Sequence, residues 1–346
     1  MKSGERRGWL HIYPYVESLY PLLAVALIMT LYAIFNAIFG YCGWGNVAGC
    51  NPLCITDTLK GIATAPASVS AEALPGRSLW VFVMGVNHLA CLAAIPVAFY
   101  LLRASSDSYA HPFQRSLLLL CLFVVLAAAA GWLAMPSDGI NQPPLFQALD
   151  VTAKADVKQI IPIVRGTIGV SYAAAVLLAL TSCAILWPPP RGGADTPLEL
   201  AGRMRLIRAL LYFSTVLLVI VSLRFGAELR WAAELLKAWQ PTPTPPAAER
   251  GIKIIESFFS VITSTAAGFN TMMLAAVYLP AAFALRRRAY RLAEERDEEA
   301  TLPAREKWLQ AQGLTLSSSE YLPRIAALLA PLLAGPIGEL IGRLTK

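Results

Sequence analysis

Six long apolar runs divide the chain, at about 19–41, 79–102, 115–135, 166–188, 207–224 and 257–285. Charged, proline-rich or glycine-rich breaks separate them, and no Asp, Glu, Lys or Arg occupies the middle of any run. A helix needs about 20 apolar residues to cross a hydrocarbon layer of roughly 30 Å, and each run is close to or above that length. One such run can be a buried core helix of a water-soluble protein; six in series point to a membrane. The runs do not alternate with period two over about ten residues, which is the mark of a membrane β-barrel. Helices also satisfy their own backbone hydrogen bonds in lipid. The pattern therefore predicts an all-α, polytopic integral membrane protein with about six transmembrane helices and 7–9 helical elements in all.

The breaks predict the organisation around a transmembrane domain over 19–285. A short cytoplasmic segment, 1–18, precedes it. Lys2, Arg6 and Arg7 lie ahead of a first run too long for a signal-peptide core and without a small-residue cleavage site, which reads as a retained signal anchor. An external loop covers 42–78. The stretch 225–256 is a second external piece. In "FGAELRWAAELLKAW", Phe225, Leu229, Ala232, Leu236 and Trp239 recur at helical intervals opposite Arg230, Glu234 and Lys237. Two readings stand side by side here, an interfacial amphipathic helix or a continuation of the fifth span, before "QPTPTPPAAE" breaks the pattern. In the loop before the fifth span, Asp195-Thr196-Pro197 carries helix-capping chemistry. A cytoplasmic tail, 286–346, ends in the apolar segment 321–342, which Pro331, Gly335 and Pro336 interrupt. That segment reads as a re-entrant or interfacial element rather than a seventh crossing.

Charge adds orientation. Lys2, Arg6 and Arg7, Arg103 and Arg115, Arg203, Arg205 and Arg208, and the run Arg286, Arg287 and Arg288 lie in alternate connecting segments, and so on one side of the membrane. Lysine and arginine near span ends mark the cytoplasmic face, so both termini are expected there. The chain is 56% hydrophobic and 15% charged, with a net charge of +7. Topology and contact with anionic lipid explain that charge; no basic helix or aromatic-basic pattern suggests a nucleic-acid partner. The Ala/Leu/Arg-rich composition suits the inner (plasma) membrane of a bacterium. Three of the six cysteines, Cys42, Cys50 and Cys54, cluster in "YCGWGNVAGCNPLC" on the external side, where an oxidising medium permits one disulfide bond in any of three pairings.

Candidate chemistry is sparse. No GxSxG, HExxH, Walker A or paired-carboxylate motif is present, which argues against an enzyme and against ATP-driven transport by this chain alone. No ligand set for a metal or cofactor stands out. The intramembrane polar residues are Asn36, Asn87, His88 and Asn270, and such groups are costly in lipid and often functional. His88 suits a proton or ion role, or a simple helix–helix hydrogen bond.

The sixth run, "ESFFSVITSTAAGFNTMMLAAVYLP", is unusually rich in small and hydroxylated residues. Ser260, Ser264 and Gly268 form one stripe, and Thr263, Ala267, Thr271 and Ala275 form another. Repeats of small residues every fourth position let helices approach closely. Within it, "FFSVITSTAAGFNT" resembles one filter segment of the Trk/Ktr family of potassium transporters, through Thr265, Gly268, Phe269, Asn270 and Thr271. The resemblance covers about 15 residues and implies a turn whose backbone carbonyls coordinate a dehydrated cation. Thr263, Ser264, Thr265, Gly268, Asn270 and Thr271 are thus the expected path-lining or helix-packing positions. The leading expectation is a channel or transporter component passing an ion or small solute, in a homo-oligomer or a larger membrane-protein complex. The alternative is a non-catalytic subunit or scaffold.

Overall fold

The computed structural model describes residues 19–28, 30, 75–106, 157–187, 196–238, 246–297, 301–314 and 322–334. Every regular element among them is helical. We label them α1 (20–28), α2 (Pro75–Ser106), α3 (Val157–Leu186), α4 (Pro197–Ala238), α5 (Pro246–Arg296), α6 (Leu302–Ala311) and α7 (Leu322–Ala334). Four of these helices, α2, α3, α4 and α5, are long and apolar enough to cross a membrane. The protein is therefore a multi-spanning, all-α membrane protein. They cover the runs at 79–102, 207–224 and 257–285 and, of the fourth run, 166–186; the run at 115–135 and most of 19–41 lie outside the described residues, as does Asn36.

Local chemistry sets the helix ends. α2, α4 and α5 each begin at a proline, whose fixed φ and missing N–H suit the first helical position. At α4, Thr196 N–H donates to Glu199 Oε2 (3.0 Å) and Glu199 N–H donates to Thr196 Oγ1 (3.3 Å). This reciprocal capping box satisfies two otherwise orphaned donors. α6 ends at Gly313, whose φ of 69° is the left-handed conformation glycine adopts without strain. There Leu314 N–H reaches Leu309 O and Gly313 N–H reaches Gln310 O, a Schellman closure sealed by the buried Leu309 and Leu314.

α4 is the hub, packed against α2, α3 and α5. It runs antiparallel to α2, because Trp80 stacks on Trp231 near one end and Ala104 and Ser105 meet Gly202 and Arg203 near the other. It also runs antiparallel to α5, with Gly226 beside Thr263 and Ser222 bonded to Asn270. α2 and α3 are parallel: Asn87 meets Ser171, and further along Ala98 and Leu102 pack on Leu177. Leu101, Leu178, Ile185, Leu210, Leu217, Leu274 and Leu285 fill the core between them. Phe82, Leu89, Leu92 and Phe99 stay exposed along α2, as a face turned to lipid requires. α7 lies against the middle of the bundle, where Thr215 Oγ1 donates to Ala327 O (3.2 Å) and Arg324 Nη1 to Tyr278 Oη (3.5 Å).

Three expectations need comment. Residues 225–238 are the end of α4, which runs unbroken to Ala238; Trp239 lies outside the described residues. The filter-like turn is absent: α5 is one helix of 51 residues that passes through 265–271. Its carbonyls there belong to the helix ladder and do not converge on a cation. The expected disulfide bond is also overturned. Among the described residues no cysteine pair lies at bonding distance, and Cys91 and Cys183 are buried on α2 and α3 outside any disulfide. Cys42, Cys50 and Cys54 lie outside the described residues.

Candidate functional site

A polar layer crosses the bundle between the stacked tryptophans and its apolar centre. Trp80 and Trp231 stack with centroids 4.9 Å apart and fix the register of α2 against α4. Asn87 on α2 and Arg224 on α4 each sit two turns inward from that pair, about 10 Å along the helix. The arrangement puts Arg224 beside a part of α2 that carries no charge between Arg77 and Arg103.

The ionic element of the layer is Arg224 and Glu228. Arg224 Nη1 lies 3.4 Å from Glu228 Oε2, and their side chains are 5% and 6% exposed. A buried ion pair is expensive to desolvate, and charges within a membrane bundle commonly mark a path or a coupling site.

The α2–α3 side is hydrogen-bonded. Asn87 is fully buried and its Nδ2 donates to Ser171 Oγ (3.0 Å), which donates to Thr167 O (2.8 Å). Cys91 Sγ approaches the same Ser171 hydroxyl at 3.9 Å. His88 Nδ1 lies 2.8 Å from Met84 O, a carbonyl that can only accept, so Nδ1 carries hydrogen. His88 Nε2 lies 3.3 Å from Thr167 Oγ1, and that oxygen is also 2.8 Å from Ile163 O. In a neutral ring the single Thr167 proton serves either Nε2 or Ile163 O. His88 and Thr167 thus tie α2 to α3 through a hydroxyl with two acceptors in reach.

α5 contributes through Asn270, whose Nδ2 donates to Ser222 Oγ (2.9 Å), which in turn donates to Leu218 O (2.9 Å). Thr263 is buried, and its Cγ2 would lie 3.7 Å from a Cβ at Gly226. Thr265 and Thr271 donate back to Val261 O and Ala267 O of their own helix. Ser264 is exposed, and a Cβ placed on Gly268 would meet nothing within 4 Å. The two small-residue stripes therefore separate. Thr263 and Ala267 turn into the bundle, whereas Ser260, Ser264 and Gly268 turn away from it.

The chain matches no known protein family, no curated protein and no solved structure. The chemistry of the layer therefore carries the functional reading.

Of the residues expected from sequence, the fold brings Asn87, His88, Thr263 and Asn270 into or beside one layer. Arg224, Glu228, Ser222, Thr167 and Ser171 are its members that hydropathy reading overlooked. Two signals were present: Arg224 and Glu228 are spaced i,i+4, as are Thr167 and Ser171. Arg224 Nε, Asn87 Oδ1 and the indole nitrogens of Trp80 and Trp231 are buried without a hydrogen-bond partner among the described residues. Buried polar groups are normally satisfied, so the layer holds hydrogen-bonding capacity beyond what its own side chains use.

Proposed function

We propose that the protein is a component of a membrane transport system, and that the polar layer is where an ion or small polar solute is held. The observation that carries this reading is the sealed Arg224–Glu228 pair beside unsatisfied polar atoms at Arg224 and Asn87. Two charges and two spare hydrogen-bonding atoms at membrane depth suit a polar occupant and add little to a purely structural bundle. The layer joins all three neighbours of α4's outer half, so occupancy would be felt by α2, α3 and α5 together. His88 and Thr167 add a hydrogen-bonded link between α2 and α3 beside it. The parallel course of α2 and α3 supports the six-span arrangement, with a further crossing between them. Clustering of Arg103, Arg203, Arg205, Arg286, Arg287 and Arg288 at one end supports a cytoplasmic face there, in a bacterial inner membrane.

The test is flux in proteoliposomes containing the purified chain, with pH-sensitive and potassium-sensitive dyes inside. The reading expects flux above protein-free vesicles, lost in an Arg224→Met/Glu228→Met variant that retains wild-type thermal stability. Equal flux in that variant, or none in the wild-type chain alone and with its co-purifying partners, would overturn it.

A second reading, a non-catalytic subunit or scaffold, is favoured by the outward stripe of Ser260, Ser264 and Gly268. Open space over Gly268 suits a helix of another subunit, whether a second copy or a different protein. Mass in detergent of the wild type and of Gly268→Leu separates it from a self-contained bundle.

A further inference from the structure

α7 turns its bulky side chains outward. Leu322, Ile325, Leu329, Leu332 and Leu333 are exposed, whereas Arg324, Ala327, Pro331 and Ala334 are buried. From sequence, this segment reads as a re-entrant or an interfacial element. We infer that the outer face of α7 is covered by lipid acyl chains, so that the helix lies within the hydrocarbon and not along the membrane surface.

The distribution of polarity on α7 is the first reason. Arg324 is the one charged residue in "LPRIAALLAPLLA", and it is buried, with Nη1 donating to Tyr278 Oη (3.5 Å). The outer face carries no polar side chain. A helix lying in the interface, or on a surface facing water, turns a polar face outward, and α7 has none to turn. Its buried stripe of Ala327, Pro331 and Ala334 is small, which allows close packing and leaves the larger apolar surface outside. Water selects the reverse arrangement.

Depth and continuity agree with this. Ala327 O accepts from Thr215 Oγ1 (3.2 Å). Thr215 lies about 10 Å inward of Arg208, and Tyr278 about 12 Å inward of Arg286. Both anchors of α7 are therefore well inside the basic end of the bundle. At the same level Tyr212 and Val216 of α4 and Leu279 and Phe283 of α5 are exposed. These belong to the surface that the spanning helices turn to lipid, and the leucines of α7 extend it. α6 precedes α7 and packs on α5 beyond Arg286, through Arg305 on Glu294 and Arg296 over Trp308. The chain thus enters the hydrocarbon from the basic side. The inference is independent of the transport reading.

Photolabelling of the wild-type chain tests the coverage, in liposomes containing a phosphatidylcholine with a diazirine midway along one acyl chain. Peptide mass mapping should find adducts on Ile325, Leu329 and Leu333 as strongly as on Leu89 and Leu92 of α2, and none at Asp297. Spin labels on Leu329→Cys and Leu333→Cys, in a variant lacking the native cysteines, test the depth. Oxygen should relax them more than a water-soluble nickel chelate does, as at Leu92→Cys and unlike Asp297→Cys. Stronger relaxation by the nickel chelate would place α7 at the water surface and overturn the inference. Loss of the α7 adducts, with weak relaxation by both reagents, would show a protein surface covering the face and would overturn it equally.

Discussion

Arg224 and Glu228 face each other across one turn of α4, with Nη1 3.4 Å from Oε2 and both side chains sealed from solvent. The same i,i+4 spacing on an exposed helix contributes only a few tenths of a kcal/mol. Burial changes the consequence of breaking the pair, because the surviving charge is left in a medium that solvates it poorly. Glu228→Gln should destabilise the protein by about 3–5 kcal/mol, whereas Arg224→Met/Glu228→Met should restore most of that loss. Denaturation in detergent, followed by helical circular dichroism, checks both. If Glu228→Gln matches the double variant, the pair is not buried as described.

Asn270 and Ser222 hold α5 against α4 in the same layer. A double-mutant cycle with Asn270→Ala and Ser222→Ala should give a coupling of about 0.6–1.7 kcal/mol, the range for hydrogen bonds between membrane helices. Additive losses would mean that Asn270 spends its time on another partner.

The separation of the two stripes on α5 predicts opposite outcomes for adjacent substitutions. Ala267 is fully buried, so Ala267→Leu should overpack the α4–α5 contact and cost about 1–3 kcal/mol. Gly268→Leu enters open space and should leave the stability of the single chain within about 0.5 kcal/mol. A lower particle mass for Gly268→Leu in detergent would identify that face as a contact with a partner subunit.

Glu234 accepts the Gly76 N–H at the start of α2 (2.7 Å), and a Cβ on Gly76 would collide with that carboxylate. Glu234→Gln removes the charge from the positive end of α2 and should cost about 0.3–1 kcal/mol. Gly76→Val should cost more, because it displaces Glu234 and the nearby Trp231 backbone. Thermal melts of the two variants give the order directly.

The directions of the helices predict sidedness. Cysteines introduced at Leu198 and Asp297, in a variant lacking the native cysteines, should label with an impermeant maleimide from the same side of a vesicle. A cysteine at Lys253, at the far end of α5, should label from the opposite side. Labelling of all three from one side would refute the antiparallel course of α4 and α5 through a bilayer.

Sequence alone determined that this chain belongs in a membrane and is helical, because about 20 uncharged apolar residues in succession have no other stable setting. It also marked Asn87, His88 and Asn270 as polar groups that would need partners, and it placed Thr196 and Pro197 as a helix start. Tertiary structure decided the depth of Arg224 and Glu228. Along α4 by itself, Arg224 closes the apolar run and reads as the edge of the membrane. The Trp80–Trp231 stack and the Asn270–Ser222 bond slide α4 so that Arg224 lies level with apolar stretches of its neighbours. Hydropathy is a property of one strip of chain, whereas depth is set by the register between strips. The same reason explains the two small-residue stripes of α5: their spacing is identical in sequence, and only the position of α4 decides which one is buried.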